Sequence, residues 1–394
     1  MKDKFWKFID KNLFVIFFII MTIFSIVIRT YFMDFESGDY TLFLEGWFNE
    51  LKENGGLLAL KNDVGNYNAP YITIMALLTY LPISPLHSIK IVSIIFDYIL
   101  AFSSMVLVYK LLKDNKKKDI YALLTYAVTI MLPTVVINSS AWAQCDSIYV
   151  AFAIISLIYL IDEKYVKSFI FLGISFAFKL QFIFLLPVYI LFYITKRKFP
   201  IYYFLILPVT NFILCIPAIL FGKSISSCMS VYSNQIDTYK EYISLNFPGV
   251  YNLFLDGSNL VLFDGEYLSQ AGVIFTITIF AICALIFLYK KVKLDKQDII
   301  TLSLWSVMVC TFFLPHMHDR YMFAADILSI FYFMYNKKKW YIPVGINFVS
   351  LYTYFACLWG NMSIDITYVS IFNFVLLAIV TRDLYNKLIL ERSK

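Results

Sequence analysis

Asn12-Leu-Phe-Val-Ile-Phe-Phe-Ile-Ile-Met-Thr-Ile-Phe-Ser-Ile-Val-Ile-Arg-Thr-Tyr-Phe-Met33 runs without a break into Asp34-Phe-Glu36-Ser-Gly-Asp39-Tyr40. The first part is apolar and long enough to cross a bilayer, whose hydrocarbon core takes about 20 helical residues. The second part delivers three carboxylates within six residues, at the point where the chain leaves the lipid. A plain connecting loop has no need of that much acid. A water-facing site at the membrane surface does. The apolar run is long, is followed by acid and lacks a small-residue cleavage pattern, so it reads as a retained anchor and not as a removed signal peptide.

The same pattern recurs along the chain. Hydrophobic residues fill 60% of the 394 positions and charged residues 15%, whereas a soluble domain carries roughly a quarter charged residues. The expected fold is therefore an all-α polytopic membrane protein with a single transmembrane domain over 1–394. About twelve spans are expected, near 12–33, 87–111, 119–138, 146–161, 167–180, 181–195, 200–221, 271–290, 298–315, 320–335, 341–359 and 364–381. Short Lys/Arg clusters at 2–11, 113–118, 196–198, 290–296 and 337–339 mark the hinges that face the cytoplasm. Both termini then fall inside. Residues 34–68 hold seven Asp/Glu against Lys52 and Lys61, and 222–270 hold five against Lys223 and Lys240. These two stretches are the expected extracytoplasmic loops. The basic runs are short and separated by lipid spans, which speaks for anionic headgroups as their partner and against nucleic acid. Six cysteines without CxxC spacing give neither a metal site nor a disulfide framework.

Three segments depart from simple spanning. Residues 70–83 are apolar but short and bracketed by Pro70 and Pro82. Counting them as a span would put the Lys113–Lys118 cluster outside, so a half-inserted or interfacial helix is expected. Residues 40–53 carry apolar side chains at 43, 44, 47, 48 and 51, a helical spacing. They read as an interfacial helix with Trp47 and Phe48 dipped into the headgroups. Residues 167–195 exceed one upright helix and hold Lys179 and Gln181 near their middle. A charge at the bilayer centre costs about 2.5–3.5 kcal/mol on insertion scales. Two short helices meeting at Lys179, beside a cavity, avoid that cost.

With this topology, polar groups far apart in sequence land on one face. They are Asp34, Glu36 and Asp39; Tyr67 within Asn66–Tyr71; Gln144 and Asp146 within Ser139–Ser147; Lys179 and Gln181; and His316, His318, Asp319 and Arg320 within Pro315–Tyr321. Two of the three histidines fall in that last segment. Asp39 suits a general base on an incoming hydroxyl, or else an N-cap for the helix that follows it. Arg320 offers a planar donor fork suited to phosphate, and His318 can donate to phosphate or sugar oxygen; the competing reading of this segment is an ion-paired, water-facing loop. Lys179 reads as a phosphate-binding cation or as a snorkelling lysine. Asp34 and Glu36 belong to the site or to its solvated rim. Asp146 holds an acceptor hydroxyl or caps the next helix. His316 is a second donor or a structural partner. Asp97 reads as a bundle-interior hydrogen-bonding residue.

In order from about residue 12 to 335, these elements resemble the GT-C glycosyltransferases, integral-membrane enzymes that use polyprenyl-phosphate sugars. The likeness is to the bacterial mannosyltransferase-like proteins and to the dolichyl-phosphate-glucose-dependent glucosyltransferases of N-glycan assembly. It rests on Gly38-Asp39-Tyr40 and the segment with Trp47, Tyr67-Asn68-Ala69-Pro70, the turn Trp142–Asp146, Phe178-Lys179-Leu-Gln181 with Pro187, and His318-Asp319-Arg320. One proline of the usual pair in the tyrosine-proline element is replaced here. The resemblance implies Asp39 as general base, Lys179, His318 and Arg320 on the donor phosphate, and inversion at the anomeric carbon. Asp34, Glu36, Tyr67, Gln144, Asp146, Gln181 and His316 are then candidates for acceptor or sugar binding. A polyprenyl-phosphate sugar, a glycan or glycolipid acceptor and the bilayer are the expected partners, and no metal or other cofactor is expected. Two other functions fit an anchored polar cluster: a transporter or flippase of lipid-linked sugars, and an oligosaccharide polymerase or ligase.

Overall fold

The computed structural model describes residues 2–238, 242–255, 260–262, 266–361 and 363–390. Lys240, and parts of the second acidic stretch at 222–270, lie outside the described residues. Helix α1 (Lys2–Thr30) leads into a π-type turn, Tyr40–Leu44, and α2 (Glu45–Glu53). Then come α3 (Ala69–Leu78), α4 (Pro85–Leu111), α5 (Lys118–Met131), the short α6 (Pro133–Val136), a second π-type turn, Ile137–Ala141, and α7 (Asp146–Ile161). The chain continues through α8 (Tyr165–Phe178), α9 (Leu186–Lys196), α10 (Ile206–Leu220), α11 (Ile225–Thr238), α12 (Glu266–Tyr289), α13 (Lys296–Phe313), α14 (Phe323–Tyr335), α15 (Tyr341–Trp359) and α16 (Ile366–Tyr385).

The helix boundaries follow local chemistry. Ser84 caps α4 through the His87 amide, with Pro85 in the first turn. Asp295 and Asp298 form a reciprocal capping box at α13. Pro133 separates α5 from α6 because the residue before it, Leu132, is held extended at ψ 126°. Gly360, at φ 63°, closes α15 in the left-handed conformation open to glycine.

The protein is polytopic and helical, but twelve spans are not what the chain builds. Among the described residues, six helices are long and apolar enough to cross a membrane, or seven if the bent pair 118–131 and 133–141 is counted as one. Residues 69–78, 146–161, 165–178, 180–196 and 323–335 form shorter apolar helices. Hydropathy registers apolar character without saying what covers it: α7, α13 and α14 are apolar because other helices surround them, and nearly all their side chains are buried in protein. Helices α1 and α12, by contrast, expose most of their apolar surface.

Within 70–83 the chain forms α3, a short apolar helix whose first two turns are buried in protein, while Leu77, Tyr80, Leu81 and Ile83 are exposed. Two further expectations are corrected. In the 40–53 segment Phe48 is 1% exposed and faces the core. Trp47 packs against Tyr67, ring centroids 5.4 Å apart, and over Gly65, where any Cβ would collide with the indole. The side chains turned outward are Leu42 and Phe43. Nor is the fold purely helical. Strands β1 (Tyr242–Leu245), β2 (Leu260–Leu262) and β3 (Met317–His318) form a small sheet in the order β2-β1-β3. The β1–β2 pair is antiparallel and the β1–β3 pair parallel, with Leu245 opposite His318.

The bundle has two chemically distinct ends. Helix α7 begins at Asp146 and ends beside Asp162, which accepts from Lys110 at 2.6 Å. Helix α14 begins just after Arg320 and ends beside Lys337, whose ammonium lies 4.1 Å from the Tyr121 ring centroid. Helix α13 runs the other way, from Asp298, paired with Lys387 at 2.8 Å, towards His318. The basic hinges thus gather at one end, and the ends of the same helices meet at the other, around Asp39.

Candidate active site

Asp39 is reached by the chain through a tightly fixed turn. The Lys90 ammonium of α4 donates to the carbonyls of Phe32, Met33 and Phe35 at 2.8, 3.0 and 2.6 Å. These carbonyls lie in the turn just beyond the end of α1, where helical backbone pairing has stopped. Ser37 donates to the Trp142 carbonyl at 2.8 Å and accepts from the Tyr40 amide at 3.2 Å. The two loops that approach the site, 34–40 and 137–146, are therefore joined through backbone.

Three donors converge on one oxygen of Asp39. Trp142 Nε1 donates to Oδ2 at 3.0 Å, Gln144 Nε2 at 2.5 Å and Arg320 Nη1 at 3.2 Å. No described residue donates to Oδ1. Asp39 makes no side-chain cap to the helical turn that follows it, so the capping role is not the one it fills. Gln144 continues the chain of contacts: its Oε1 accepts from the Tyr67 hydroxyl at 2.9 Å and from Lys179 Nζ at 3.5 Å. Lys179 donates to Asp146 Oδ1 at 2.5 Å, and Asn138 donates to Asp146 Oδ2 at 2.7 Å. Arg320 Nε stands 3.7 Å from Asp146 Oδ2, too far for a hydrogen bond, and is a buried donor without an acceptor. The ring of contacts closes with two carboxylates, Asp39 and Asp146, facing two cations, Lys179 and Arg320. The guanidinium also lies 5.6 Å from the Trp142 ring, a cation–π distance.

Lys179 is where it is because the helix breaks. Helix α8 ends at Phe178, Lys179 is extended (φ −150°, ψ 142°), and a 3-10 turn over Leu180–Leu185 leads into α9. Asn68 holds this break from across the bundle. Its amide donates to the Ala177 carbonyl at 2.9 Å and to Asn211 at 2.8 Å, while its oxygen caps α3.

Burial sets the charge states beside the ring. It pushes the His318 imidazole down to about 3, with the Arg320 and Lys179 cations adding to the shift. His318 is thus a neutral side chain at pH 7. Burial lifts the Asp319 carboxyl to about 6, against the pull of Arg320.

Three adjoining cavities meet here, and His318 lines all of them. One of about 130 Å³ is bounded by Asp39, Trp47, Tyr67, Gln144 and Arg320. A second, of about 90 Å³, has Lys179, Gln181, Tyr67 and Arg320 on its wall. The third is apolar, about 380 Å³, with Ile183, Phe184, Val273, Leu314, Pro315 and Tyr321. Polar groups surround the first two, and the third continues from them between the 3-10 turn Leu180–Leu185, α12 and the end of α13. A larger cavity of about 420 Å³ at the basic end is far from this chemistry; Asn115, Tyr121, Gln297 and Lys337 line it.

Seven of the expected residues come together: Asp39, Tyr67, Gln144, Asp146, Lys179, His318 and Arg320. Gln181 stands at the edge, on the walls of the second and third cavities. Three do not join them. Asp34 is 93% exposed and bonds His87 at 2.9 Å; Glu36 is exposed; both sit on the rim. His316 lines the third cavity, but its ring is engaged away from the ring of contacts, by the Tyr242 carbonyl at 2.5 Å and by Ser269 at 3.0 Å. Its backbone, at φ 59°, turns the chain between His316 and His318. Sequence reasoning missed Asn138, Lys90 and the indole of Trp142 as parts of the site; the Trp142 indole lay within the turn already singled out. Among the described residues no cluster of three His, Cys, Asp or Glu side chains could hold a metal ion. No family model matches the chain, and no curated protein matches it.

Proposed function

We propose that this chain is a membrane glycosyltransferase of the GT-C type. It moves a hexose from a polyprenyl-phosphate donor to a glycan or lipid-linked acceptor, with inversion. One observation carries the reading: a carboxylate with an uncommitted oxygen, two cations and a neutral imidazole surround polar cavities that open into an apolar one. A polyprenyl-phosphate sugar has the same order of parts, a polar sugar, an anionic link and an apolar tail.

In the proposed reaction the acceptor hydroxyl oxygen attacks the anomeric carbon as the bond from that carbon to the phosphate oxygen breaks. The hydroxyl proton passes to Asp39 Oδ1. Oδ2 stays fixed by Trp142, Gln144 and Arg320, which orients the carboxylate. The phosphate diester becomes a monoester, so negative charge grows on it in the transition state. Lys179 and Arg320, already held in place, stabilise that growing charge without reorganising. The bonding of each cation to a carboxylate keeps the site close to neutral. The basic hinges put the opposite end of the bundle in the cytoplasm by the positive-inside rule, so the reaction takes place on the extracytoplasmic side.

The test is transfer in vitro from a panel of synthetic polyprenyl-phosphate hexoses. Asp39→Asn keeps the shape and the acceptor oxygen but loses the base, and transfer is expected to fall by about 10²–10⁴, with unchanged thermal unfolding. Full transfer by that variant would remove Asp39 from the reaction.

A further inference from the structure

Beside the ring of contacts lies a second polar cluster, none of whose members lines the three cavities. Arg29 of α1 donates through Nε and Nη2 to Asp97 Oδ2 of α4, at 3.1 and 2.8 Å. The two side chains are 2% and 0% exposed. Arg29 Nη1 also donates to the Ile130 carbonyl near the end of α5 at 3.0 Å. Asp97 has two more donors. Ser139 reaches Oδ2 at 2.6 Å, and Ser147 reaches Oδ1 at 2.5 Å.

Those two serines bracket the segment 140–146. Within it, Trp142 and Gln144 hold Asp39, and Asp146 holds Lys179. We propose that Asp97, braced by Arg29, is a positioning residue: it grips both ends of this segment and fixes the height at which Trp142, Gln144 and Asp146 meet their partners. The inference rests on the transferase reading for its effect on turnover, and on geometry alone for its effect on the segment.

The physical case is one of alternatives. A buried ion pair is a poor device for stability, since apolar residues of similar volume often do as well or better. It is a good device for fixing location, because a buried carboxylate demands its donors at defined distances. Ser139 sits in the π-type turn Ile137–Ala141, whose backbone hydrogen bond, from the Trp142 amide to the Ile137 carbonyl, spans one residue more than in an α-helix. Ser147 belongs to the first turn of α7. Without Asp97 the segment keeps the Ser37 bond to the Trp142 carbonyl and the Asn138 bond to Asp146, but loses the one group that holds both of its ends. A displacement of about 1 Å breaks the 2.5 Å contact from Gln144 to Asp39, and misplacement of that size costs about 10²-fold in rate.

The double variant Ser139→Ala/Ser147→Ala isolates this role, because it leaves the Arg29–Asp97 pair in place and removes only its grip on the segment. Turnover number is expected to fall by about 10²-fold, while the KM values for donor and acceptor change little. Amide exchange over 137–146 is expected to quicken by about tenfold or more as local opening becomes easier, with α4 and the later turns of α7 still protected. Single Ser147→Ala should fall between. Unchanged exchange in the segment would overturn the proposal. So would faster exchange across all helices, which marks a merely structural cluster. If the unmodified protein transfers no sugar, the transferase reading fails by itself, and the exchange measurement still decides whether Asp97 positions the segment.

Discussion

His318 and Asp319 are neighbours that titrate in opposite senses. His318 takes up a proton near pH 6.5 when unfolded but only near pH 3 in the folded protein. Its contribution to stability is therefore complete above pH 6.5 and is lost as pH falls towards 3. Asp319 binds its proton near pH 6 when folded and near 3.9 when unfolded. Its ionisation weighs against the fold above pH 6, and acid relieves that penalty between about pH 6 and 4. The two effects partly cancel on acidification. Thermal unfolding in detergent at pH 7 and pH 5 separates them: His318→Asn should flatten the acid loss of Tm, and Asp319→Asn should steepen it. Identical pH dependence in all three proteins would contradict these assignments. His316 illustrates what residue type alone does not convey. Two histidines two positions apart would share a strand face, but the left-handed backbone at His316 breaks that relation and sends its ring to Tyr242 and Ser269.

The break between α8 and α9 was legible because length and charge agreed: too many apolar residues for one helix, with a lysine where lipid would be. The number of spans was not, because the apolar runs at 298–315 and 320–335 read as membrane spans in the sequence, while α13 and α14 are wrapped in protein and neither is long and apolar enough to count as a span. The role of Asn68 was hidden for a different reason. Its partners, Ala177 and Asn211, are over a hundred residues away, and no local pattern announces them. Asn68→Ala removes the cap of α3 and leaves the Ala177 carbonyl buried without this donor. Lost caps cost about 0.5–2 kcal/mol and an unmet buried acceptor about 1–3 kcal/mol, so the variant should be destabilised by about 2 kcal/mol or more. Asn68→Ser keeps a capping oxygen but not the amide donor, and should lose only part of that. Chemical or thermal unfolding of the two variants checks the order; equal losses would mean that the cap of α3 contributes nothing.

Taken whole, the molecule sets basic hinges against a ring of paired charges, with α7, α13 and α14 spanning the interval. Glu36 and Lys116 mark the two ends, and both are exposed. With the exposed Cys357 changed to Ser, a cysteine placed at 36 should react with an impermeant maleimide on intact cells, and one placed at 116 only after the membrane is opened. Labelling of both from the same side would overturn the two-ended arrangement, and labelling of 116 alone on intact cells would reverse the orientation argued from charge. The interval itself is short. Helix α14 has 13 residues and α7 has 16, which at 1.5 Å per residue makes about 20 and 24 Å. A hydrocarbon slab is about 30 Å thick. On the proposed topology, with the lysine-rich end at its own headgroups, Asp146 and Arg320 would fall several ångströms short of the opposite surface, at the bottom of a dent. On the proposed transferase reading, an isoprenoid chain would then bring its phosphate to those charges while remaining immersed in its own leaflet.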